Sequence, residues 1–298
     1  MPPKTLLSRR GALKRAALSV LALPLLNAPA ALRAAVATSA APSPANRDRT
    51  RGIKLGVASI SLQSLPIEAV ASALKQLEIG YVSIFRTHAA FEKGTPEECR
   101  AAAAAFRAAG IAVATTSVVN LLNDEALLRK AFENVKAAGL SLMTCRPVPA
   151  AMPLIERFVK EYDIRLAIHN HGPEDKDFPG PDETLKLIQP YDARIGLCLD
   201  VGHAMRAKAD VPAAVRRCAA RLYDVHLKDS LSLPGSVTDI PTEVGRGQMD
   251  IRGILAALVD IKYSGVVAFE YERVGVNPLI GLSESVGYVR GVLASLPG

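Results

Sequence analysis

From Ile53 onward, short runs of apolar and β-branched residues alternate with longer stretches whose apolar positions recur at helical spacing. The short runs predict strands over 53–60, 81–85, 111–117, 140–145, 164–170, 194–199, 222–227 and 266–271. Between them, segments such as 101–109 and 125–138 carry one apolar stripe, as helices packed outside a sheet do. Gly80, Gly110, Gly139 and Gly265 each precede a strand, where a left-handed helix C-cap favours a residue without Cβ. Repeated βα units predict an α/β fold with a parallel sheet, and eight of them in about 250 residues are the size of one closed (β/α)8 TIM barrel. An open doubly wound sheet would place a glycine-rich phosphate loop after its first strand, and none follows Ile60. The late pair Gly245-x-Gly247 reads as a turn rather than a phosphate cradle.

Charge changes the picture at one end only. The formal net charge is +7, but residues 1–51 carry nine Lys and Arg against Asp48 alone, which leaves the remainder near −1. A nucleic-acid partner is therefore not expected, because phosphate-backbone binding needs a basic surface on the folded domain. The basic start has the order of an export signal: charges, an apolar run over 16–26, then small residues over 28–41. That run is too short to span a bilayer, so no stable membrane span is expected in the mature form. The stretch from Ser8 to Lys14, with Arg9 and Arg10, resembles a twin-arginine signal, which implies export of an already folded protein to the periplasm. The expected organisation is a signal over 1–37, with several alanines competing as the cleavage position, a linker over 38–52, and one barrel over 53–298.

Cys99, Cys145, Cys198 and Cys218 form no Cys-x-x-Cys pair and are expected as buried thiols. The chemistry gathers elsewhere. In a TIM barrel the active site lies at the C-terminal ends of the strands, and strands five to eight end in HNH (169–171), LDVGH (199–203), HLKD (226–229) and EYE (270–272). Alternation along a strand puts His169 with His171, His226 with Lys228, and Glu270 with Glu272 on shared faces. Imidazoles and carboxylates from four consecutive strands supply the nitrogen and oxygen ligands that Mn, Co, Mg, Zn or Fe use, and one divalent ion would relieve the cost of burying them. Arg86 and His88, after strand two, have matching parity and are candidates for substrate binding. The acidic run Glu174, Asp175, Lys176, Asp177 before Pro179 forms a loop, read either as a cover for the site or as a solvated turn.

LAIHNHGPED (166–175), GLCLDVGHA (196–204), LYDVHLKD (222–229) and VAFEYE (267–272) together resemble the xylose isomerase-like TIM barrels. That superfamily includes sugar isomerases and epimerases, endonuclease IV, inosose dehydratase and 3-dehydroshikimate dehydratase. The resemblance implies that Asp200, His226 and Glu270 ligate the metal, that His203 contacts substrate, and that Lys228 lies near it; Glu272, on the face of Glu270, is a further candidate for substrate binding. The isomerases carry a Glu on strand five that ligates the metal and moves the substrate proton; here His169 stands in its place. The His-x-His, the HLKD and the loop VGRGQMDI (244–251) are closer to inosose dehydratase. His171, His203 and Lys228 are then the expected acid-base groups, an imidazole near neutral pH being able both to accept and to donate a proton.

The resulting expectation is a metal-dependent enzyme that deprotonates the carbon next to a carbonyl in a keto-sugar or polyol ketone, giving an epimer or isomer. The same site serves β-elimination if a hydroxyl or glycosidic oxygen lies β to the carbonyl, as in a dehydratase or keto-glycoside lyase. A catalytically silent carbohydrate-binding barrel is the competing reading from another class.

Overall fold

A computed structural model of the chain describes residues 50–297; the export signal expected over 1–37, with Arg9 and Arg10, and nearly all of the linker lie outside them. Strands form in all eight predicted runs, as β1 (Lys54–Ala58), β2 (Tyr81–Ile84), β3 (Ala112–Thr116), β5 (Leu142–Pro147), β6 (Arg165–His169), β7 (Ile195–Asp200), β8 (Leu222–Leu227) and, later, β11 (Val266–Phe269), and one short strand outside them, β4 (Val119–Leu121), is added. All are parallel to their neighbours, in the order β3-β2-β1-β11-β8-β7-β6-β5-β4. A two-stranded antiparallel ribbon, β9 (Asp229–Ser230) with β10 (Pro241–Thr242), rises from the end of β8.

The helices are α1 (Ile67–Gln76), α2 (Pro96–Ala108), α3 (Glu125–Ala137), α4 (Met152–Tyr162), α5 (Pro181–Ile188), α6 (Val201–Arg206), α7 (Val211–Arg217), α8 (Ile251–Asp260) and α9 (Pro278–Ser295). Their starts follow the local sequence. Thr95 and Glu98 form a reciprocal capping box on α2, and the carboxylates of Asp124, Asp200, Asp210 and Asp250 cap α3, α6, α7 and α8. Of the four glycines expected at helix C-termini, Gly110 and Gly139 take positive φ (81° and 69°), but Gly80 and Gly265 do not. The left-handed residues there are Glu78 (φ 54°) and Lys262 (φ 53°), because those helices stop two or three residues earlier.

The third barrel strand is broken, which the sequence pattern does not predict. β3 pairs with β2, the chain bends through Ser117 and Val118, and β4 pairs with β5. Across the seam, threonine hydroxyls replace ladder bonds: Thr115 Oγ1 donates to Leu142 O (3.1 Å) and accepts from Thr144 N (3.0 Å), and Thr116 Oγ1 donates to Thr144 O (3.1 Å).

The large apolar core lies between sheet and helices, joining Val57, Val82, Ile168, Leu199, Val225 and Phe269 to helix residues such as Leu74, Phe106, Phe132 and Phe158. The opposite strand faces point into the barrel and are small or polar. Ala58 and Ala268 form one minor cluster, Ala167 and Cys198 another, and the parity that places them inside also carries His169, Asp200 and Glu270. All four cysteines are buried free thiols, as expected. No described helix is long and apolar enough to cross a membrane.

Candidate metal and active site

His169 ends β6, Asp200 ends β7, His226 lies near the end of β8, and Glu270 immediately follows β11, so four neighbouring strands deliver four side chains to one point. Their donor atoms all lie within 4.8 Å of one another. His169 Nε2 is 3.1 Å from His226 Nδ1 and 3.5 Å from Asp200 Oδ2, and His226 Nδ1 is 3.4 Å from Glu270 Oε2. These four side chains are almost wholly buried.

The donor set fits a divalent ion. Asp200 Oδ2 is buried at the centre with no aligned hydrogen bond; the Lys228 ammonium 3.1 Å away offsets its charge, and a divalent ion among the four donors would complete its surroundings. Two imidazole nitrogens and two carboxylate oxygens suit zinc or another first-row ion. Cys198 lies close enough to join His169 and His226 in a second set. The carboxylate set is the better one, because it supplies four donors and includes the otherwise unpaired Asp200 Oδ2.

Lys228 occupies the same point from above. Its ammonium lies 3.1 Å from Asp200 Oδ2, 2.9 Å from Glu270 Oε2 and 3.1 Å from Glu272 Oε2. Burial works against every charge here, and the partners outweigh it. The three carboxylates raise the Lys228 pKa, while His203 with Lys228 holds the Asp200 carboxyl low and Lys228 with His226 does so for Glu270. Burial is likewise overcome at His226, where Cys198, Glu270 and Asp224 raise the imidazole pKa well above its ordinary value. Gly202 permits the Lys228 path, since a Cβ there would meet Lys228 Cγ at 2.6 Å.

Two more imidazoles form the rim. The His171 ring lies tilted 4.5 Å from that of His169 and 5.8 Å from that of His203, centroid to centroid, and His171 and His203 line a cavity of about 540 Å³ with Arg146, Glu174, Asp175, Lys176 and Asp177. Burial and the neighbouring His169 push the His171 pKa down to about 3, and burial also lowers that of His203. Both rings are therefore neutral at pH 7. A neutral ring can accept a proton or donate a hydrogen bond.

A family model described as xylose isomerase-like TIM barrel matches residues 150–291, the part that holds this site. The chain folds as a TIM barrel, and this part of it is similar to the xylose isomerase-like family. Among solved structures it is similar to D-psicose 3-epimerase with D-fructose present (15% identity, TM-score 0.65, 82% of this chain and 100% of that one). It is also similar to the IolI protein with a binding zinc atom (15%, TM-score 0.66, 82% and 98%). A third is 3-keto-D-glucoside 4-epimerase from E. coli (14%, TM-score 0.64, 80% and 99%). At such identities these matches speak for the fold. No curated protein sequence matches the chain.

In this barrel, Glu272 reaches the cluster through Lys228, whereas the two candidates after β2 do not reach it. His88 has both ring nitrogens engaged locally, by Ser59 Oγ (2.8 Å) and Leu65 O (2.9 Å), and Arg86 lies over Phe85 and lines a groove with Glu92, Asn120 and Leu122. The acidic loop is pinned: Arg146 grips Asp175 with two bonds (2.6 and 2.8 Å), and Arg206 grips Glu174. Gly245-x-Gly247 is a turn, as read; its amides donate to Asp229 Oδ2 at 2.9 and 3.0 Å, which fills the place a phosphate would need.

Three supporting residues carried no role in the sequence reading. Asn170 clamps the Asp200 peptide from both sides (3.0 and 3.1 Å), Asp224 lies below His226, and Arg206 contacts His203. Asp224 was accessible from the parity that paired His226 with Lys228. Asn170 and Arg206 act across elements, which spacing along the chain does not reveal.

Proposed function

We propose that this barrel is a divalent-metal-dependent carbohydrate enzyme that removes a proton from the carbon next to a carbonyl in a keto-sugar or related polyol ketone and returns it to give an epimer or isomer. The observation that carries this reading is the convergence of His169, Asp200, His226 and Glu270 beneath a cavity lined by His171 and His203. The zinc named with IolI and the sugar epimerases among the structural matches support it. A divalent ion held by the four side chains supplies positive charge against the negative charge that develops on substrate oxygens. His171, neutral and at the rim, is placed to accept the proton. Lys228 remains charged and holds Asp200 and Glu270 in place, and Glu272 extends that ion-pair network toward the mouth.

β-Elimination by the same site is the second reading, as in an inosose dehydratase or keto-glycoside lyase. It is favoured by His169 standing where a second proton-moving carboxylate would be, and by two neutral imidazoles at the rim to meet a departing oxygen.

Two measurements test the proposal. Purified protein should hold about one divalent ion per chain, and Asp200→Ala should lose most of it; full metal content in Asp200→Ala contradicts the ligand set. Mass spectrometry on a panel of keto-sugars and keto-glycosides then separates the reactions: altered retention at constant mass supports epimerisation or isomerisation, and loss of water or of a glycosidic fragment supports elimination. A metal-loaded protein that binds sugars and transforms none would be a silent binding barrel.

We further propose export through the twin-arginine route, from Arg9 and Arg10 before the short apolar run. Replacing both with Lys should retain the protein in the cytoplasm, and unchanged export would contradict the proposal.

A further inference from the structure

Between the turn after β2 and the start of α3 lies a groove of about 390 Å³. Ala90 and four leucines make its lining mainly apolar. Leu121 and Leu128, each 1% exposed, are built into the core, while Leu122 and Leu127 stand 51% and 44% exposed. Single leucines in water are ordinary on a protein surface. Here two of them border one concavity with buried leucines beside them, and both stay wetted unless something occupies it.

The groove adjoins the site through one pair of residues. Asn120 lines the groove and is the register partner of Arg146 across β4 and β5, and Arg146 lines the cavity with His171 and His203. Neighbouring strands lie about 4.8 Å apart, and partners in register present their side chains to the same face. That face is the inner one, because Arg146 shares parity with Thr144, whose hydroxyl reaches Asp224 within the barrel. Glu92 fastens the turn after β2 to this edge by accepting from the Asn120 amide at 3.1 Å. Groove and cavity are therefore adjacent parts of one rim, the first apolar and the second lined by imidazoles and charged groups.

We infer that the groove is a subsite for the apolar aglycone of a glycoside whose sugar ring lies over His169, Asp200, His226 and Glu270. That the sugar is a carbonyl compound rests on the proposed function; the apolar half rests on the groove. Its volume falls in the range of small-molecule sites, roughly 300–1,000 Å³ with mostly apolar walls. Two half-exposed leucines offer far less than the roughly 800 Å² per partner that a stable protein interface covers, which favours a small group over a second chain. A free monosaccharide would fill the cavity alone and leave Leu122 and Leu127 in water, so the geometry selects a glycoside over a free sugar.

The test is titration calorimetry of the zinc-loaded protein with phenyl and methyl β-D-glycosides of glucose, galactose and mannose. For at least one sugar the phenyl glycoside should bind about tenfold or more tightly than the methyl one, the scale expected for taking a ring's apolar surface out of water. The double variant Leu122→Gln, Leu127→Gln should reduce that preference to about twofold or less with zinc content unchanged; both side chains are half exposed, so the fold should tolerate the change. Equal affinity for phenyl and methyl glycosides, no binding of either, or a preference that the folded double variant retains would each overturn the inference. Sedimentation adds a further check: a wild-type dimer that the double variant breaks would put a second copy in the groove and overturn it as well. A phenyl preference that depends on the two leucines, together with no turnover of any keto-sugar or keto-glycoside, would sink the proposed function and leave this inference standing. Turnover with equal affinities would do the reverse.

Discussion

Asp224 Oδ2 stands 3.6 Å from His226 Nε2, on the edge of the ring opposite the Nδ1 that faces His169 and Glu270. Thr144 Oγ1 donates to the same oxygen at 2.8 Å and fixes its direction from the barrel seam. A carboxylate behind a ligating imidazole favours the tautomer with the free lone pair toward the metal and makes that nitrogen more basic. Asp224→Asn should therefore weaken Zn²⁺ or Mn²⁺ binding by about 10- to 100-fold, measured by competition with a chelator. Unchanged affinity would remove Asp224 from the site's support.

The rim loop is organised around a second carboxylate. Asp229 accepts from the amides of Ser230, Gly245, Gly247 and Met249 at 2.9 to 3.3 Å. Asp229→Ala strands several of these amides, and a loss of about 2–4 kcal/mol is expected from unpaired buried donors and a lost charged acceptor. Gly247→Ala attacks the same contact sterically, since its Cβ would lie 2.0 Å from Asp229 Oδ1. Thermal unfolding checks both, and midpoints equal to wild type would contradict this account of the loop.

Asp175 gives the protein an acid-sensitive contact. Burial raises its pKa, but the Arg146 guanidinium and the amides of Asp177 and Phe178 outweigh burial and bring it from 3.8 down to about 2. A depressed carboxyl pKa stabilises the fold above the unfolded value, and that contribution disappears as pH falls through the folded one. About 2 kcal/mol should therefore be lost between roughly pH 5 and pH 2, and Arg146→Gln should flatten that part of the stability profile. Denaturant unfolding across the range measures it, and an unaltered acid slope in Arg146→Gln would contradict the assignment.

His171 is the base this account places at the rim, so His171→Ala should lower kcat by about 100-fold or more with metal content unchanged. Metal analysis alongside steady-state kinetics separates the two effects. An undiminished rate would take the residue out of the mechanism.

The eight strand positions were legible because strands of a parallel barrel with a buried outer face appear as apolar runs. The ligand cluster was legible for a related reason: strands of one direction bring their last residues to one rim, and parity selects which of them face inward. Parity fails where the strand has ended. It grouped Arg86 with His88 as though β2 continued, but β2 stops at Ile84 and the chain turns, leaving His88 to brace Ser59 and Leu65. The break after Thr116 was hidden because β4 has only three residues and the closure depends on threonine hydroxyls meeting the neighbouring strand. The downward shift of the His171 and His203 pKa values was out of reach, since burial sets it.

Proton removal next to a carbonyl, dependent on the ion held by His169, Asp200, His226 and Glu270, is tested most directly by running the reaction in deuterium oxide and locating the label by NMR. The account predicts solvent deuterium at the carbon adjacent to the carbonyl with metal-loaded protein, and none after chelation. Turnover with complete retention of the substrate's own hydrogen, or deuterium uptake that chelation leaves untouched, would contradict it.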